Sequence, residues 1–488
     1  MRFSNKILLM LSILFFCLGS YLLFPQERFR QSPPYPEPLQ ELKLPEIAEA
    51  VLSNGLKIAV IRYDNLPIVT LRLVILTGES ASSPKLPGTA TLTANMLKHG
   101  TLTLSAIDFE EKIESMGGNL TISTYPDYSM ITLNLLEDYL DQGLYILSRM
   151  LLQPSFSKRE VENAKRSLYY ELIKKNSNSE QVAKKVLSLL LFKDHPYQKS
   201  VLNQDIIKNI KRENLLAFFQ KYYRPNNAQL ILTGNLNLNT ATRKVSRYLN
   251  SWSKKEVKLP LVPASHPNSK LKICFVDMPQ QKAAIIYMGN IISPLNSSNY
   301  FPLLVLNQVL GGTPGSRLFM NLRESKEYAY YAFSQIELFK ICGLFYIRAK
   351  IRPEVVYPSV MEILSEINKI SKEKMPSFEI EQAKSYLIGN FPLKIETHDL
   401  LSLRLAQIKA FQLGPEHWSK YYQNLMLIDA DRVFDLAQKY PLLTPVVIIV
   451  GNGNIIIDHL RNFDEVGIYN NKGILQYSIR KESSNETR

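Results

Sequence analysis

The stretch LGGTPGSRLFMNLRESKEYAYY, residues 310–331, decides the fold. The apolar residues that lead into it predict a helix over Tyr300–Leu310, and a second helix follows over Ser316–Glu324. The glycines between the two helices predict a turn, because no Walker pattern and no preceding parallel strand accompanies them as in a phosphate loop. A strand begins at Tyr330, so this stretch carries the chain from a pair of helices into a sheet.

The same alternation of strand pairs and helix blocks occurs twice along the chain. Strands are predicted in the first half at Val51–Tyr63, Ile68–Thr77, Asn119–Thr124, Tyr128–Leu135 and Gln229–Thr233, and in the second half at Leu271–Val276, Ala283–Gly289, Tyr330–Ile336, Leu344–Ile351 and Pro445–Val450. Further amphipathic helices are predicted over residues 88–98, 105–117, 138–151, 157–175, 179–192, 212–223, 354–371, 376–391, 398–413 and 430–440. This repeat predicts an α+β fold with two homologous α/β domains.

Composition divides the chain into segments and limits the class of protein to which it can belong. The segments are a signal peptide or membrane anchor at 1–24, a Pro-rich linker at 25–47, a first domain at 48–253, a linker at 254–270, a second domain at 271–473 and a solvated tail at 474–488. With 45% hydrophobic and 21% charged residues, the chain can form large cores. Its net charge of +14 arises from Lys and Arg interleaved with Asp and Glu, which does not indicate a nucleic-acid surface.

The amino terminus carries the clearest targeting signal. Arg2 and Lys6 precede an apolar run from Ile7 to Phe24, and Pro25 ends that run. This pattern predicts export, through either a cleaved signal peptide or an uncleaved anchor, because the run is about long enough to span a bilayer. Cys17 lies within the run, but the Leu and Phe residues before it make a poor lipobox.

Three cysteines in the whole chain exclude a disulfide scaffold and a zinc site of CxxC type. Cys274 and Cys342 lie in apolar, strand-like runs, where buried free thiols are expected. A single bridge between them is the alternative in an oxidising compartment.

Several motifs in a fixed order carry a resemblance to a known family. They are Leu52–Leu56, Tyr222–Asn227, Leu310–Glu324 followed by Tyr330, Gly343–Phe345 and Arg352–Glu354. In this order and spacing the chain resembles the pitrilysin/insulinase family of zinc peptidases over about residues 48–455. Its layout is similar to mitochondrial processing peptidase and to the core subunits of cytochrome bc1. The resemblance implies two α/β sandwich domains of the LuxS/processing-peptidase type.

The family's zinc motif is degenerate in this chain. Active members carry H-x-x-E-H on a helix, in which two His bind zinc and the Glu is the general base. The matching stretch here is GTATLTANMLKHGT, residues 88–101, in which Thr91 and Asn95 replace the ligands and Ala94 replaces the base. Glu171 lies near the expected third ligand, but one carboxylate without the His pair makes no zinc site. The sequence therefore predicts no metal in this chain, and the resemblance implies zinc in a partner subunit.

No other histidine replaces the missing ligands. His99 lies one turn beyond Asn95 and is expected to share its helical face. The remaining histidines have no neighbour at metal-ligand spacing and are expected to be surface or capping residues: His195, His266, His398, His417 and His459.

A second functional element of the family is retained. The resemblance assigns a substrate-gripping Arg and Tyr, seven residues apart, to Arg323 and Tyr330. A guanidinium and a phenol polarise a peptide carbonyl and stabilise the oxyanion as water adds. The alternative is that Arg323 pairs with Glu324 or Glu327 and that Tyr330 is an ordinary strand residue. The family usually has Gly-Leu before Ala-Tyr, whereas this chain has Glu327-Tyr328 before Ala329-Tyr330-Tyr331. The bulkier loop is expected to narrow the site, and Tyr331 is a candidate to contribute beside Tyr330.

These features favour a non-catalytic, substrate-binding subunit of a heterodimeric zinc peptidase. The expected partners are a sister subunit with an intact H-x-x-E-H and a peptide substrate that adds as a strand to a sheet edge. The expected location is the periplasm or the outer face of the inner membrane. Two alternatives are a structural scaffold in a membrane complex and a metal-free peptide-binding homodimer. Retention of both Arg323 and Tyr330 disfavours the scaffold, which needs neither.

Export is directly testable with a fusion that joins residues 1–42 to a reporter enzyme active only outside the cytoplasm. We expect reporter activity, because the basic start and the apolar run form a complete export signal. Reversing the charge with Arg2→Glu and Lys6→Glu is the control and should lower the exported fraction. An inactive reporter on the unaltered fusion would contradict export.

Overall fold

The computed structural model describes residues 45–481, apart from 199–201, 293, 295–296, 415 and 441–443. The predicted signal or anchor at 1–24 lies outside these residues. Within the described part there are two β-sheets, one in each half of the sequence. No described helix has both the length and the apolarity that crossing a bilayer requires. The predicted α+β fold with two α/β domains is confirmed.

The first sheet has six strands in the order β1-β2-β6-β3-β5-β4, in which only β2 and β6 run parallel. The strands are β1 Ile47–Val51, β2 Lys57–Arg62, β3 Ile68–Ile75, β4 Asn119–Thr124, β5 Ser129–Leu136 and β6 Ala228–Gly234. A tight turn joins β1 to β2 at Gly55, whose φ of 87° lies in the left-handed region that favours glycine.

The second sheet has seven strands in the order β13-β12-β7-β11-β8-β10-β9. The strands are β7 Lys272–Asp277, β8 Ala284–Ile292, β9 Ala329–Leu338, β10 Gly343–Ile351, β11 Val446–Gly451, β12 Glu465–Tyr469 and β13 Leu475–Arg480. The order β7-β11-β8-β10-β9 reproduces β2-β6-β3-β5-β4 with the same strand directions. The duplication that the sequence predicts is therefore present in the sheet topology.

Helices cover both sheets. The first half contributes α1 Thr89–Met96, α2 Ala106–Glu114, α3 Leu140–Leu152, α4 Lys158–Asn176, α5 Ser179–Phe192, α6 Gln204–Asn209, α7 Arg212–Tyr222 and α8 Leu238–Leu249. The second half contributes α9 Ser297–Asn307, α10 Arg317–Phe319, α11 Val356–Lys372, α12 Ser377–Gly389, α13 His398–Ala410, α14 Glu416–Ser419, α15 Tyr421–Met426, α16 Ala430–Lys439 and α17 Gly453–Leu460.

Several elements were not expected from the sequence. The helices α6, α8 and α17 and the strand β12 fall where no element was predicted. The segment after Gly473, expected to be solvated, contributes the edge strand β13, whose side chains are largely exposed. The helix predicted over Ser316–Glu324 is one short turn of α-helix followed by a wider π-helical turn, Met320–Ser325.

Each half also covers part of the other half's sheet. The apolar side of α5 packs on the second sheet, where Val182 and Val186 join a cluster with Cys274 and Tyr287. In return, α13 packs on β3 and β6 of the first sheet. Each exchanged helix buries apolar surface that would otherwise face water, so the two halves stabilise each other.

A buried ion pair marks the contact of α13 with the first sheet. The guanidinium of Arg72 on β3, 3% exposed, donates to Asp399 Oδ1 at 2.6 Å and to Ser402 Oγ at 2.9 Å. Burial lowers the pKa of Arg72, and the Asp399 carboxylate opposes that effect. The pair is favourable because the carboxylate is still 49% exposed and so retains part of its hydration.

Replacing Asp399 tests whether its ion pair with Arg72 stabilises the protein more than an exposed surface ion pair does. We expect Asp399→Ala to lower the free energy of unfolding by about 1.5–3 kcal/mol, because it leaves a buried guanidinium without its charged acceptor. Urea unfolding at neutral pH measures the change. The control is Asp64→Ala, whose exposed pair with Arg62 should change the free energy by less than about 0.5 kcal/mol. Equal effects of the two substitutions would contradict a special role for Arg72.

Candidate functional site

The degenerate motif lies on α1, which is held at its amino end by Glu79. The Glu79 carboxylate accepts hydrogen bonds from the backbone N–H of Gly88 at 2.5 Å and of Thr91 at 3.1 Å. It also accepts the Thr91 hydroxyl at 2.7 Å. A carboxylate at a helix amino terminus satisfies backbone donors and complements the helix dipole. Burial nevertheless raises the pKa of Glu79 above its ordinary value.

Thr91 and Glu171 line one cavity of about 390 Å³, which we call the motif cavity. Lysines Lys175, Lys184 and Lys185 line the same cavity. Glu171 and Lys175 are 4.0 Å apart, and both side chains are well exposed. The cavity therefore has a mixed lining of carboxylates and ammonium groups.

The groups at the motif positions do not fit zinc. Thr91 offers a hydroxyl that already donates to Glu79, and Ala94 is completely buried and has no proton acceptor. Asn95 supplies an amide, which is a poor substitute for imidazole. In the described part of the chain no three His, Cys, Asp or Glu side chains are grouped to hold a metal. No metal-dependent step is assigned to this chain.

The expectation that His99 shares the helical face of Asn95 is wrong. Helix α1 ends at Met96, and His99 lies beyond it, with Nδ1 at 3.4 Å from Glu160 Oε2 of α4. Burial lowers the pKa of His99. His195 Nε2 lies 2.8 Å from the backbone carbonyl of Pro263. His398, expected at the surface or at a cap, is instead buried, with Nε2 3.2 Å from the backbone carbonyl of Tyr63.

Arg323 lies in the π-helical turn before β9 and keeps half of its side chain exposed. Its Nε is 3.7 Å from Glu324 Oε1, and its guanidinium lies over the Phe319 ring at 4.8 Å. Both members of the ion pair are about half exposed, and such surface pairs contribute little to stability. The predicted alternative partner, Glu324, is therefore present, but the contact leaves the guanidinium accessible.

Tyr330 lies on β9, at the edge of the second sheet, and is 58% exposed. The Nζ of Lys350, on the neighbouring strand β10, is 5.7 Å from its ring. The chain reaches β9 through Glu327, whose φ of 54° is unusual for a residue with a side chain. After the π-helical turn the chain reverses sharply and enters the edge strand β9. Tyr330 lies there, seven positions after Arg323 in the sequence.

Tyr331 does not face the same way as Tyr330. Its hydroxyl donates to Glu180 Oε1 of α5 at 2.6 Å, and Arg348 lies over its ring at 5.3 Å. Burial, together with the hydrogen bond to Glu180, raises the pKa of Tyr331. The register of β9 and β10 shifts here, with Lys350 opposite Tyr331 and Ile351 opposite Ala329, so Tyr330 is the extra residue of a β-bulge, while Tyr331 contacts the exchanged helix. The Tyr331 hydroxyl is therefore engaged in a structural contact with Glu180, and not in a site beside Tyr330.

Sequence reasoning missed two residues of the motif cavity. Glu79 follows β3 without a recognisable motif, and only the fold brings it to the start of α1. Lys184 lies on α5 and reaches across to Glu337 of β9, with Nζ and Oε2 2.9 Å apart. Its sequence neighbours are helical and give no sign of this long-range pair.

The two cysteines are free and buried. Burial raises the pKa of Cys342 to about 11 and that of Cys274 to about 12. Both thiols are therefore protonated at neutral pH and poor nucleophiles.

Comparisons with known proteins agree with this geometry. The family described as insulinase (peptidase family M16) matches residues 57–205, and the peptidase M16 inactive domain matches residues 209–387. The chain belongs to peptidase family M16, which confirms the resemblance seen in its motifs. The non-peptidase homolog YmxG of Helicobacter pylori is 27% identical over 354 residues, which cover 70% of this chain and 80% of that protein.

Solved structures share the fold. The peptidase M16 inactive domain from Pseudomonas fluorescens superposes with a TM-score of 0.77 at 20% identity, covering 83% of this chain and 98% of the other. The periplasmic protease PqqL from Escherichia coli gives a TM-score of 0.71 at 17% identity. That match covers 87% of this chain and 49% of PqqL.

The substitutions at the motif predict that the purified chain neither holds zinc stoichiometrically nor cleaves peptides. Metal analysis after dialysis against zinc-containing and then zinc-free buffer measures retention. The matched control restores the ligands with Thr91→His and Asn95→His and should retain zinc, because Glu171 lines the same cavity. One zinc held per unaltered chain, with proteolysis that a chelator removes, would contradict this prediction.

Proposed function

We propose that this chain is the non-catalytic, substrate-binding subunit of a heterodimeric zinc peptidase. A sister subunit with an intact H-x-x-E-H supplies the zinc, and this chain supplies Arg323 and Tyr330. The observation that carries the proposal is the exposure of this donor pair in a chain whose own motif cannot bind zinc. The name of the Helicobacter pylori relative, a non-peptidase homolog, is consistent with a non-catalytic role.

The donor pair is available for a ligand. The Arg323 side chain is 51% exposed and Tyr330 is 58% exposed, so neither is consumed by packing in the core. When the surface that carries the two donors packs against a partner's zinc site, water would be excluded. The donors would then act in a medium of lower dielectric constant. Their hydrogen bonds to a substrate carbonyl would then strengthen as negative charge develops on its oxygen.

The sheet edges support binding of an extended peptide. Tyr330 lies on β9, which is the edge strand of the second sheet, and β4 is the edge strand of the first. An edge strand has unpaired N–H and C=O groups that can pair with an added strand. A peptide paired with β9 would present its carbonyls beside Tyr330, which is the geometry that substrate gripping requires.

The contacts at the motif cavity support a loss of catalysis in this chain with retention of the fold. Glu79 now satisfies backbone donors at the start of α1, and its hydrogen bond with Thr91 closes the position where the family's first ligand would project. The substitutions at the motif therefore form a local structure with satisfied hydrogen bonds. The helix stays in place for packing, since its residues Leu92 and Met96 are fully buried.

Export places this function outside the cytoplasm. The proposal rests on the basic and apolar amino-terminal segment, and the likeness to a protease named as periplasmic is compatible with it. In that compartment the chain and its sister would act on peptides that reach the cell envelope.

Substitution of the donor pair tests the proposal on the reconstituted pair of subunits. We expect Arg323→Ala and Tyr330→Phe each to lower turnover by about 100- to 1,000-fold, the usual loss for one oxyanion-type donor. The thermal midpoint should stay nearly constant, because both side chains are exposed. Turnover and thermal unfolding are measured on the same preparations.

Two exposed residues provide matched controls. Arg461 forms a surface pair with Asp458, and Tyr477 is 60% exposed on β13, so Arg461→Ala and Tyr477→Phe should leave turnover unchanged. Full turnover in both donor-pair variants, or loss only in step with unfolding, would refute the gripping role. A chain that copurifies with a membrane complex and without a zinc subunit would favour a scaffold instead.

A further inference from the structure

A second cavity, which we call the aromatic cavity, adjoins the motif cavity at Tyr125 and Pro126, and its lining contains neither Arg323 nor Tyr330. Its volume is about 410 Å³, within the range of pockets that enclose small molecules. It is bounded by the turn between β4 and β5, by β9 and by the helices α9, α12, α13 and α15. Six of its lining residues are aromatic: Tyr125, Tyr128, Tyr300, Phe391, Phe411 and Tyr421.

The walls of this cavity are held rigidly by ring contacts. Phe391 stacks on Tyr421 with ring centroids 4.0 Å apart, and Tyr125 stacks on Tyr128 at 4.6 Å. Phe411 meets Tyr128 edge to face at 5.8 Å. Such a lining offers flat, apolar surfaces to a ligand at little cost in side-chain entropy.

Two cations line the cavity without a carboxylate partner. Arg404 of α13 is half-buried and Lys394 is exposed, and neither lies within ion-pair distance of a carboxylate whose placement the structure describes. Within the described part of the chain, Arg404 makes one side-chain hydrogen bond, a long one from Nη1 to Gln407 Oε1 at 3.3 Å. Although the residue as a whole is exposed, desolvation of its ammonium lowers the pKa of Lys394, and repulsion from Arg404 lowers it further, so the two charges lie close enough to interact.

The acidic groups of the cavity are already engaged elsewhere. Asp127 accepts the Tyr197 hydroxyl at 2.6 Å and the backbone N–H of Lys340 at 2.8 Å. Glu337 pairs with Lys184 of α5. His417 is also no competing cation, because burial lowers its pKa to about 4. Both donors to Asp127 are neutral, so the lining has two cations, Arg404 and Lys394, against one carboxylate without a cationic partner, and its net charge is positive.

From this combination we infer that the aromatic cavity binds a small monocarboxylate with a flat, apolar body. The rings enclose the body, and Arg404, assisted by Lys394, holds the carboxylate. A guanidinium presents two parallel N–H donors that match a carboxylate, and an anion would also relieve the repulsion between the two cations. A neutral ligand of the same shape would gain the apolar contacts alone.

Calorimetric titration of the purified chain with naphthoate, and with naphthamide as its neutral isostere, tests the site. We expect naphthoate to bind and naphthamide to bind at least about 10-fold more weakly. Arg404→Gln should weaken naphthoate by about 10- to 100-fold, as expected for loss of a charge-assisted contact, and should bring the two ligands to similar affinity. Lys394→Gln should weaken naphthoate by a smaller factor.

The controls keep the result interpretable. Arg461 is an exposed arginine directly after α17 and does not line the cavity, so Arg461→Gln should leave naphthoate binding unchanged. Lys394 is exposed, so its substitution reports on the site even if Arg404→Gln does not fold. No binding of naphthoate at about 1 mM, or equal affinity for naphthoate and naphthamide, would overturn the inference.

Titration with a tripeptide distinguishes two carboxylate ligands, a small-molecule acid and the carboxyl terminus of a peptide. The tripeptide Ala-Ala-Phe is titrated with a free and with an amidated carboxyl terminus. Weak binding of both forms supports a small-molecule ligand. Binding of the free acid more tightly than naphthoate would overturn that assignment in favour of peptide carboxyl termini.

Discussion

The exchange of helices between the two halves is the constraint on which the rest of the structure depends. Helix α13, from the second half, lies on β3 and β6 of the first sheet, while α5, from the first half, lies on β8 and β11 of the second. Each sheet would otherwise expose an apolar face, and neither half could bury its own. Arg72 fixes one of these contacts with two side-chain hydrogen bonds at the amino end of α13. On the other side, Glu180 and Lys184 of α5 reach Tyr331 and Glu337 of β9.

The exchanged helices also connect the two sites. Lys184 lines the motif cavity and pairs with Glu337, which itself lines the aromatic cavity. On β9, the residue after Tyr330 is anchored to α5, so the edge strand is held against the first half of the chain. Tyr330 is therefore presented from a strand with fixed neighbours, and Arg323 lies in the π-helical turn that leads into that strand. Preorganisation of this kind is what a group needs if it is to stabilise a transition state without reorganising.

The sequence was sufficient to predict the central strands of both sheets, because runs such as Ile68–Ile75 are rich in β-branched residues and bounded by turn residues, but it did not predict β12 and β13. It also located the helix start at Ser105, which forms a capping box with Asp108. The helix α8 was missed although Leu238, Ala241, Val245 and Leu249 follow helical spacing, because polar residues outnumber them. Periodicity also shows that α5 has an apolar face but not which sheet that face covers. Long-range contacts such as Glu79 with Thr91, and the convergence of Arg404 with aromatic rings, depend on tertiary structure and leave no local pattern.

The proposed function assigns zinc to a sister chain and the donor pair Arg323 and Tyr330 to this chain. The most direct test is to titrate this chain into a fixed amount of its H-x-x-E-H sister and to measure peptide turnover together with zinc content. Turnover should rise to a plateau at equimolar chains, while the zinc content stays at one ion per pair. Full turnover by the sister alone, unchanged by added chain, would contradict the proposal that this chain completes the active site.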